Sequence, residues 1–291
     1  MRSVPKTLLV VTAAWAAACG PVASGGDRVS VLGVDRLSGE LSAIEVDLPF
    51  VDLAAVRGPA GVFTQGGASP DCAVRRKVSG ALVPRTARCA TLLGQYAAMD
   101  RARQFLLSAG AESLSPAPVA ADSETPGLHY LPALDAFTLG EGPRGARVPA
   151  AYNPGAVARE LSRRQLRGLA ETHPEDAEGI ALFLGAVAAS DPGYLAASDP
   201  GGDPAGDLDL ARPLAEHARA SAALAGALWA WADATSDLVG AARAVLAASR
   251  AVDRGAPVGI LSLVAAQLDG AERDQACAVF RARASRVPAC P

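Results

Sequence analysis

Two cationic side chains one helical turn apart, with a carboxylate between them and a second carboxylate downstream, form the densest chemistry in this chain. Arg159-Glu160-Leu161-Ser162-Arg163 supplies the first three groups, and Glu178 supplies the fourth. Residues four apart stand on one side of a helix, so Arg159 and Arg163 can face a common partner. A guanidinium is planar, permanently charged and fork-shaped. It suits a carboxylate, and it has no lone pair to offer a metal. Glu178 opens an apolar stretch, where a carboxylate without a counter-charge is costly. Arg159 and Arg163 are counter-charges of the right shape for such a carboxylate. The helical wheel alone offers a rival. It puts Arg159, Glu160, Arg163, Arg164 and Arg167 on one solvated arc, and Val157, Ala158, Leu161, Leu166 and Leu169 on the buried one.

Other groupings carry less. Glu160 and Glu178 could serve as a carboxylate pair, as in a glycosidase, but nothing else supports sugar chemistry. His129, His173 and His217 are the only histidines. No two share a helical turn, so no local His-rich zinc site can form. His217 and Ser221 are one turn apart, like a base and a nucleophile. A serine so placed points beside the histidine, and no nucleophile elbow accompanies it. Asp199, Asp203 and Asp207 lack the spacing of a calcium loop and read as a solvated turn.

The elements that must position these groups are legible in outline. Asn153 caps a helix whose first residue is Pro154, and the pattern carries it to about Ala170. Thr172 to Asp176 starts the next helix with an acidic first turn, and Ile180–Val187 is apolar on all sides, hence buried. Earlier, Leu92, Tyr96, Met99, Phe105 and Leu106 stripe a helix from Thr91 to Ala109, stopped by Gly110. From Leu208 onward four helices follow. The first spans 215–234 and bears Trp229 and Trp231. The second is capped by Ser236 and stopped by Gly255. The third runs from Pro257 to Gly270, and the last over 271–283. Upstream, Val29–Val34, Ile44–Leu48, Val62–Thr64, Leu128–Leu131 and Ala136–Leu139 read as strands, and 113–127 as a Pro- and Ser-rich loop. The fold class is α+β and predominantly α. A β-rich lobe with one helix occupies 28–150, and a helical lobe occupies 151–291.

The chain opens on Arg2 and Lys6, then a short apolar run, Leu8–Trp15, then Ala16-Ala17-Ala18-Cys19-Gly20. The run is too short to span a bilayer as a mature helix. Its ending resembles a bacterial lipoprotein signal. The expectation is a signal peptide over 1–18, a lipid on Cys19 and a tether over 19–27. The protein would then be exported to the bacterial cell envelope and held on the outer membrane. The other cysteines are even in number, as in an exported chain with disulfides, and the short loops favour Cys72–Cys89 and Cys277–Cys290. A net charge of −3 gives no reason to expect nucleic acid.

The frame at 159–163 resembles the active-site helix of the gluzincin zinc peptidases, the group of thermolysin and fungalysin. There it reads His-Glu-x-x-His, two histidines hold zinc and the Glu is the general base. Here Glu160 keeps the base position, and Arg159 and Arg163 replace both histidines. Glu178-Gly179-Ile180-Ala181-Leu182 resembles the group's Glu-Gly-x-Ala-Asp, so Glu178 matches the third zinc ligand, with Leu182 in place of the supporting Asp. The resemblance thereby implies that Arg163, or Arg159, pairs with Glu178 in the place of zinc. His217–Trp229 resembles a later helix of the group, and Gln95–Leu106 the helix that precedes the active site. The resemblance covers roughly 91–229. It implies edge strands beside the cleft, a peptidase scaffold without its metal, no cofactor and no catalysis. It also implies a remnant cleft for a peptide or protein ligand on a protein whose other partner is the membrane, through its lipid. Two rival readings stay open: an active hydrolase of another mechanism, and a structural helical lipoprotein unrelated to peptidases.

Overall fold

The computed structural model describes residues 28–35, 40–48, 51–112, 114–123, 128–140, 148–198, 209–211, 219–253, 259–283 and 290. The chain is α+β, with strands first and helices after. It divides into two compact units. One runs through Asp100 and adds Ser115–Gly142; the other holds Arg101–Leu114 and the chain from Pro143.

The first unit begins with a hairpin, β1 (Arg28–Val34) and β2 (Leu41–Asp47), whose alternating pattern buries Val29 and Val31. Then come β3 (Arg57–Gly58), β4 (Gly61–Gln65), β5 (Val74–Arg76) and β6 (Leu82–Pro84). Helix α1 (Ala87–Ser108) follows, and its Arg101–Ser108 belong with the second unit. After it stand β7 (Ala117–Ser123), β8 (Leu128–Leu131) and β9 (Ala136–Gly140). One sheet has the order β2-β1-β6-β5, and the other β3-β4-β7-β9-β8. Strand β8 stands at an edge of the second sheet, antiparallel to β9, while β4, β7 and β9 run parallel. Phe63, Tyr96, Val119 and Phe137 are fully buried, and the Tyr96 hydroxyl accepts a hydrogen bond from the Ala60 N–H at 3.2 Å.

The expected loop over 113–127 is corrected by β7, which lies between β4 and β9. Its Ala-Pro-Val-Ala-Ala run lacks the bulky alternation of a strand, and pairing on both sides supplies the stability that propensity does not. The two disulfides join Cys72 to Cys89 and Cys277 to Cys290, each with Cα atoms 5.4 Å apart.

Besides the end of α1, the second unit holds α2 (Pro154–Gln165), α3 (Arg167–Thr172), α4 (Pro174–Ala189), a 3₁₀ turn (Tyr194–Ala197), α5 (Ala220–Thr235), α6 (Leu238–Asp253), α7 (Ile260–Ala266) and α8 (Gly270–Arg283). Helix α4 is the centre of it. It packs against α2, α3, α5 and α6, which is why Ile180–Val187 is buried on every side. The helix expected from Pro154 to Ala170 breaks at Leu166, whose backbone leaves the helical geometry between α2 and α3. Ser236 is not the cap of α6. It ends α5 in the left-handed conformation, φ 57°, and the Asp237 carboxylate receives the Gly240 N–H. Gly270, expected to close the third helix, instead begins α8. Gly255 and Pro257 lie outside the described residues.

Candidate functional site

Helix α2 owes its position to one residue. The Asn153 Oδ1 accepts hydrogen bonds from the N–H groups of Gly155 and Ala156, at 3.0 and 3.3 Å. Its Nδ2 donates to the Tyr194 carbonyl at 2.6 Å and to the Ser198 hydroxyl at 2.8 Å. Asn153 is buried, so the same side chain caps the helix and fixes the turn after α4.

Helices α2 and α4 run antiparallel and approach closely. Gly155 near the start of α2 faces Gly185 near the end of α4, and a Cβ on either would sit 2.8 Å from the other's carbonyl oxygen. The Tyr194 ring packs against both glycines. Its hydroxyl is buried and meets no hydrogen-bond partner among the described residues. Burial pushes the phenol's pKa up, with Arg159 opposing and Glu178 adding to the rise.

Further along the same contact, Glu178 of α4 meets both arginines of α2. Arg159 donates to its Oε1 from Nε at 3.1 Å and also from Nη2. Arg163 donates to its Oε2 from Nε at 2.7 Å and stands equally close through Nη2. The remaining Arg163 nitrogen, Nη1, donates to Glu160 at 2.9 Å. Thus both arginines take up the partner expected for one of them. The cluster is neither deeply buried nor on the open surface. Arg159 and Glu178 expose 22 % and 24 % of their side chains, Arg163 exposes 34 %, and Glu160 only 5 %. Burial works against the Arg159 charge. Glu178 first, then Tyr194 and Glu160, outweigh it and hold the guanidinium's pKa above its ordinary value.

The helical wheel misplaces two members of its charged arc. Glu160 and Arg164 are buried, not solvated. The wheel assumes one partner face, whereas α2 contacts α3, α4 and the Tyr194–Ala197 turn. Pairing lets Glu160 be buried without an isolated charge.

The residues do not fit a zinc ion. Both ligand positions of the frame carry guanidinium groups, and both oxygens of Glu178 are already engaged by them. Glu160 and Glu178 are joined by Arg163, so they do not face each other across an open gap as an acid and a base would. Ser221 is buried in the first turn of α5, where its carbonyl lies against Gly179 of α4. Its supposed partner His217 lies outside the described residues, as do Cys19, Asp199, Asp203 and Asp207. His129 pairs across β8 and β9 with Thr138, and His173 precedes α4 on the surface. Tyr194 and the second role of Asn153 were not read from the sequence. Gly155 and Gly185 were the available signal, since glycine inside a helix marks a close approach.

The chain matches no protein-family model, no curated protein and no solved structure, so the likeness to gluzincins rests on the residues of the chain itself.

Proposed function

We propose that this is an envelope lipoprotein with a peptidase-like helical unit that has exchanged its metal for an ionic clamp and serves as a binding or structural module, not as a hydrolase. The observation that carries the reading is the double engagement of Glu178 by Arg159 and Arg163. In the resembled enzymes a cation joins these two helices through the same three positions. Here two guanidinium groups supply positive charge at those positions and join α2 to α4 directly. A zinc-bound water would have no ligand set to hold it, so Glu160 has no nucleophile to activate. Glu160 instead receives Arg163. The lipid on Cys19 and the site in the cell envelope belong to the same proposal.

The test is made on protein purified from its own membranes. The reading expects no stoichiometric zinc, no cleavage of unstructured peptides, and recovery of a peptide or protein ligand by cross-linking in the envelope. Zinc at one per chain, or peptide cleavage abolished by Glu160→Gln, would overturn it.

A further inference from the structure

The hairpin formed by β5 and β6 ends in an unusual turn. Arg75, Arg76 and Lys77 lead into Val78, which is wholly exposed, and Ser79-Gly80 lead out. The turn is ordered. Lys77 N–H donates to the Ala81 carbonyl at 2.8 Å, Gly80 N–H to the Lys77 carbonyl at 2.9 Å, and the Arg76 guanidinium to the Gly80 carbonyl at 2.7 Å. Gly80 has φ +87°, the left-handed geometry that such a turn requires. Turn chemistry favours Gly, Asn, Asp, Ser and Pro, so a β-branched apolar residue at the apex has no local reason to be there. The hairpin is braced at its base, because Cys72–Cys89 closes the loop that contains it.

Its place in the sheet gives the turn a context. Arg76 pairs with Leu82, and Leu82 with Val29 in the parallel ladder of β6 and β1. One row of the sheet therefore joins the base of the turn to the residue next to Arg28, where the chain enters from the tether. The basic tip and the entry of the tether share one end of the sheet. Residues 19–27 reach at most ~30 Å when fully extended, so a lipid on Cys19 keeps that end near the bilayer. Asp47 stands at the same end opposite Arg28. Arg75 and Lys77 are exposed and add positive charge at that end.

We infer that the tip, through Arg75, Lys77 and Val78, is a second membrane contact that seats on anionic phospholipid headgroups, with Val78 entering the interface. The inference rests on the reading of a lipid-anchored protein. A lipid chain combined with a basic patch is a stable form of attachment, and each cation near an anionic leaflet strengthens it about fivefold.

The full chain, reconstituted in vesicles rich in phosphatidylglycerol or made of phosphatidylcholine alone, is followed by amide hydrogen exchange over 73–82. The mass of the N-terminal peptide is read in the same samples. The expected result is exchange about tenfold slower on the anionic vesicles, reversed by high salt and abolished by the combined change Arg75→Ser, Lys77→Ser and Val78→Ser. Equal exchange on both vesicle types with Cys19 acylated overturns the inference and leaves the anchor standing. That outcome would also be the one given by a tip that meets an acidic protein instead. Unmodified Cys19 with salt-sensitive slowing on anionic vesicles removes the anchor and upholds the tip.

Discussion

One carboxylate between two guanidinium groups leaves an excess positive charge, and Glu160 restores the balance through Arg163. That arithmetic explains why a four-residue cluster can lie half-covered between helices with its charges balanced. It also sets the size of the effect. Exposed ion pairs contribute under ~1 kcal/mol, and breaking a fully buried one costs about 3–5 kcal/mol. With side chains 22–34 % exposed around Glu178, Glu178→Ala should cost about 1–2 kcal/mol, read as a shift of the urea midpoint at constant m-value. Arg159 is held above its ordinary pKa, so its share is fully present below the unfolded value and fades only as strong alkali titrates the folded guanidinium. Neutral and mildly basic buffers should give the same difference between wild type and variant. Asn153 is the other pivotal residue. Asn153→Ala removes a cap and strands the Tyr194 carbonyl and the Ser198 hydroxyl, at an expected cost of about 2–4 kcal/mol by the same measurement. A cost under ~1 kcal/mol would show that the turn after α4 is not held by this side chain.

At the scale of elements, the contact between α2 and α4 is set by absence of side chain. Gly155 and Gly185 let the backbones approach and make room for the Tyr194 ring. Gly185→Ala adds a methyl group that meets backbone on one side and the ring on the other. It should lower stability by about 2–3 kcal/mol although alanine is the better helix former. A melting temperature at or above wild type would refute this packing. The same contact shows what was legible beforehand. The pairing of Glu178 was expected from the likeness of 159–163 and 178–182 to a zinc-binding frame, while the cap at Asn153 and the buried character of Ile180–Val187 follow from local residue types and spacing. The break at Leu166 and the burial of Glu160 and Arg164 do not, because they depend on how many neighbours α2 has. Strand β7 was hidden for a similar reason. Alanines and a proline have little strand preference, and only its parallel neighbours β4 and β9 make it one. Ser236 was misread because serine at a helix boundary suits either end. Its left-handed backbone closes α5, and Asp237 does the capping of α6.

Across the whole molecule, N-terminal strands followed by a helical region agree with the α+β class expected from the sequence, but of the two strands expected at an edge only β8 is one, since β9 lies between β7 and β8. The first unit carries the two sheets and the second carries the clamp. The units divide between Gly142 and Pro143, and Arg101–Leu114 belong to the second unit. A stripe of apolar residues gives no hint of that, since Leu92 and Leu106 are equally buried. Under the proposed function, α2 and α4 carry a frame that resembles a zinc site, with arginine where the resembled enzymes have histidine. The most direct test of that reading puts histidine at both positions. In the full chain carrying Arg159→His and Arg163→His together, Glu178 is freed to act as third ligand, and zinc per chain is measured by native mass spectrometry after exposure to the metal. The account predicts about one zinc per folded chain in this variant, loss of that zinc when Glu178→Ala is added, and none in the wild type. A double variant that keeps its helical circular dichroism and leaves zinc unbound would contradict it.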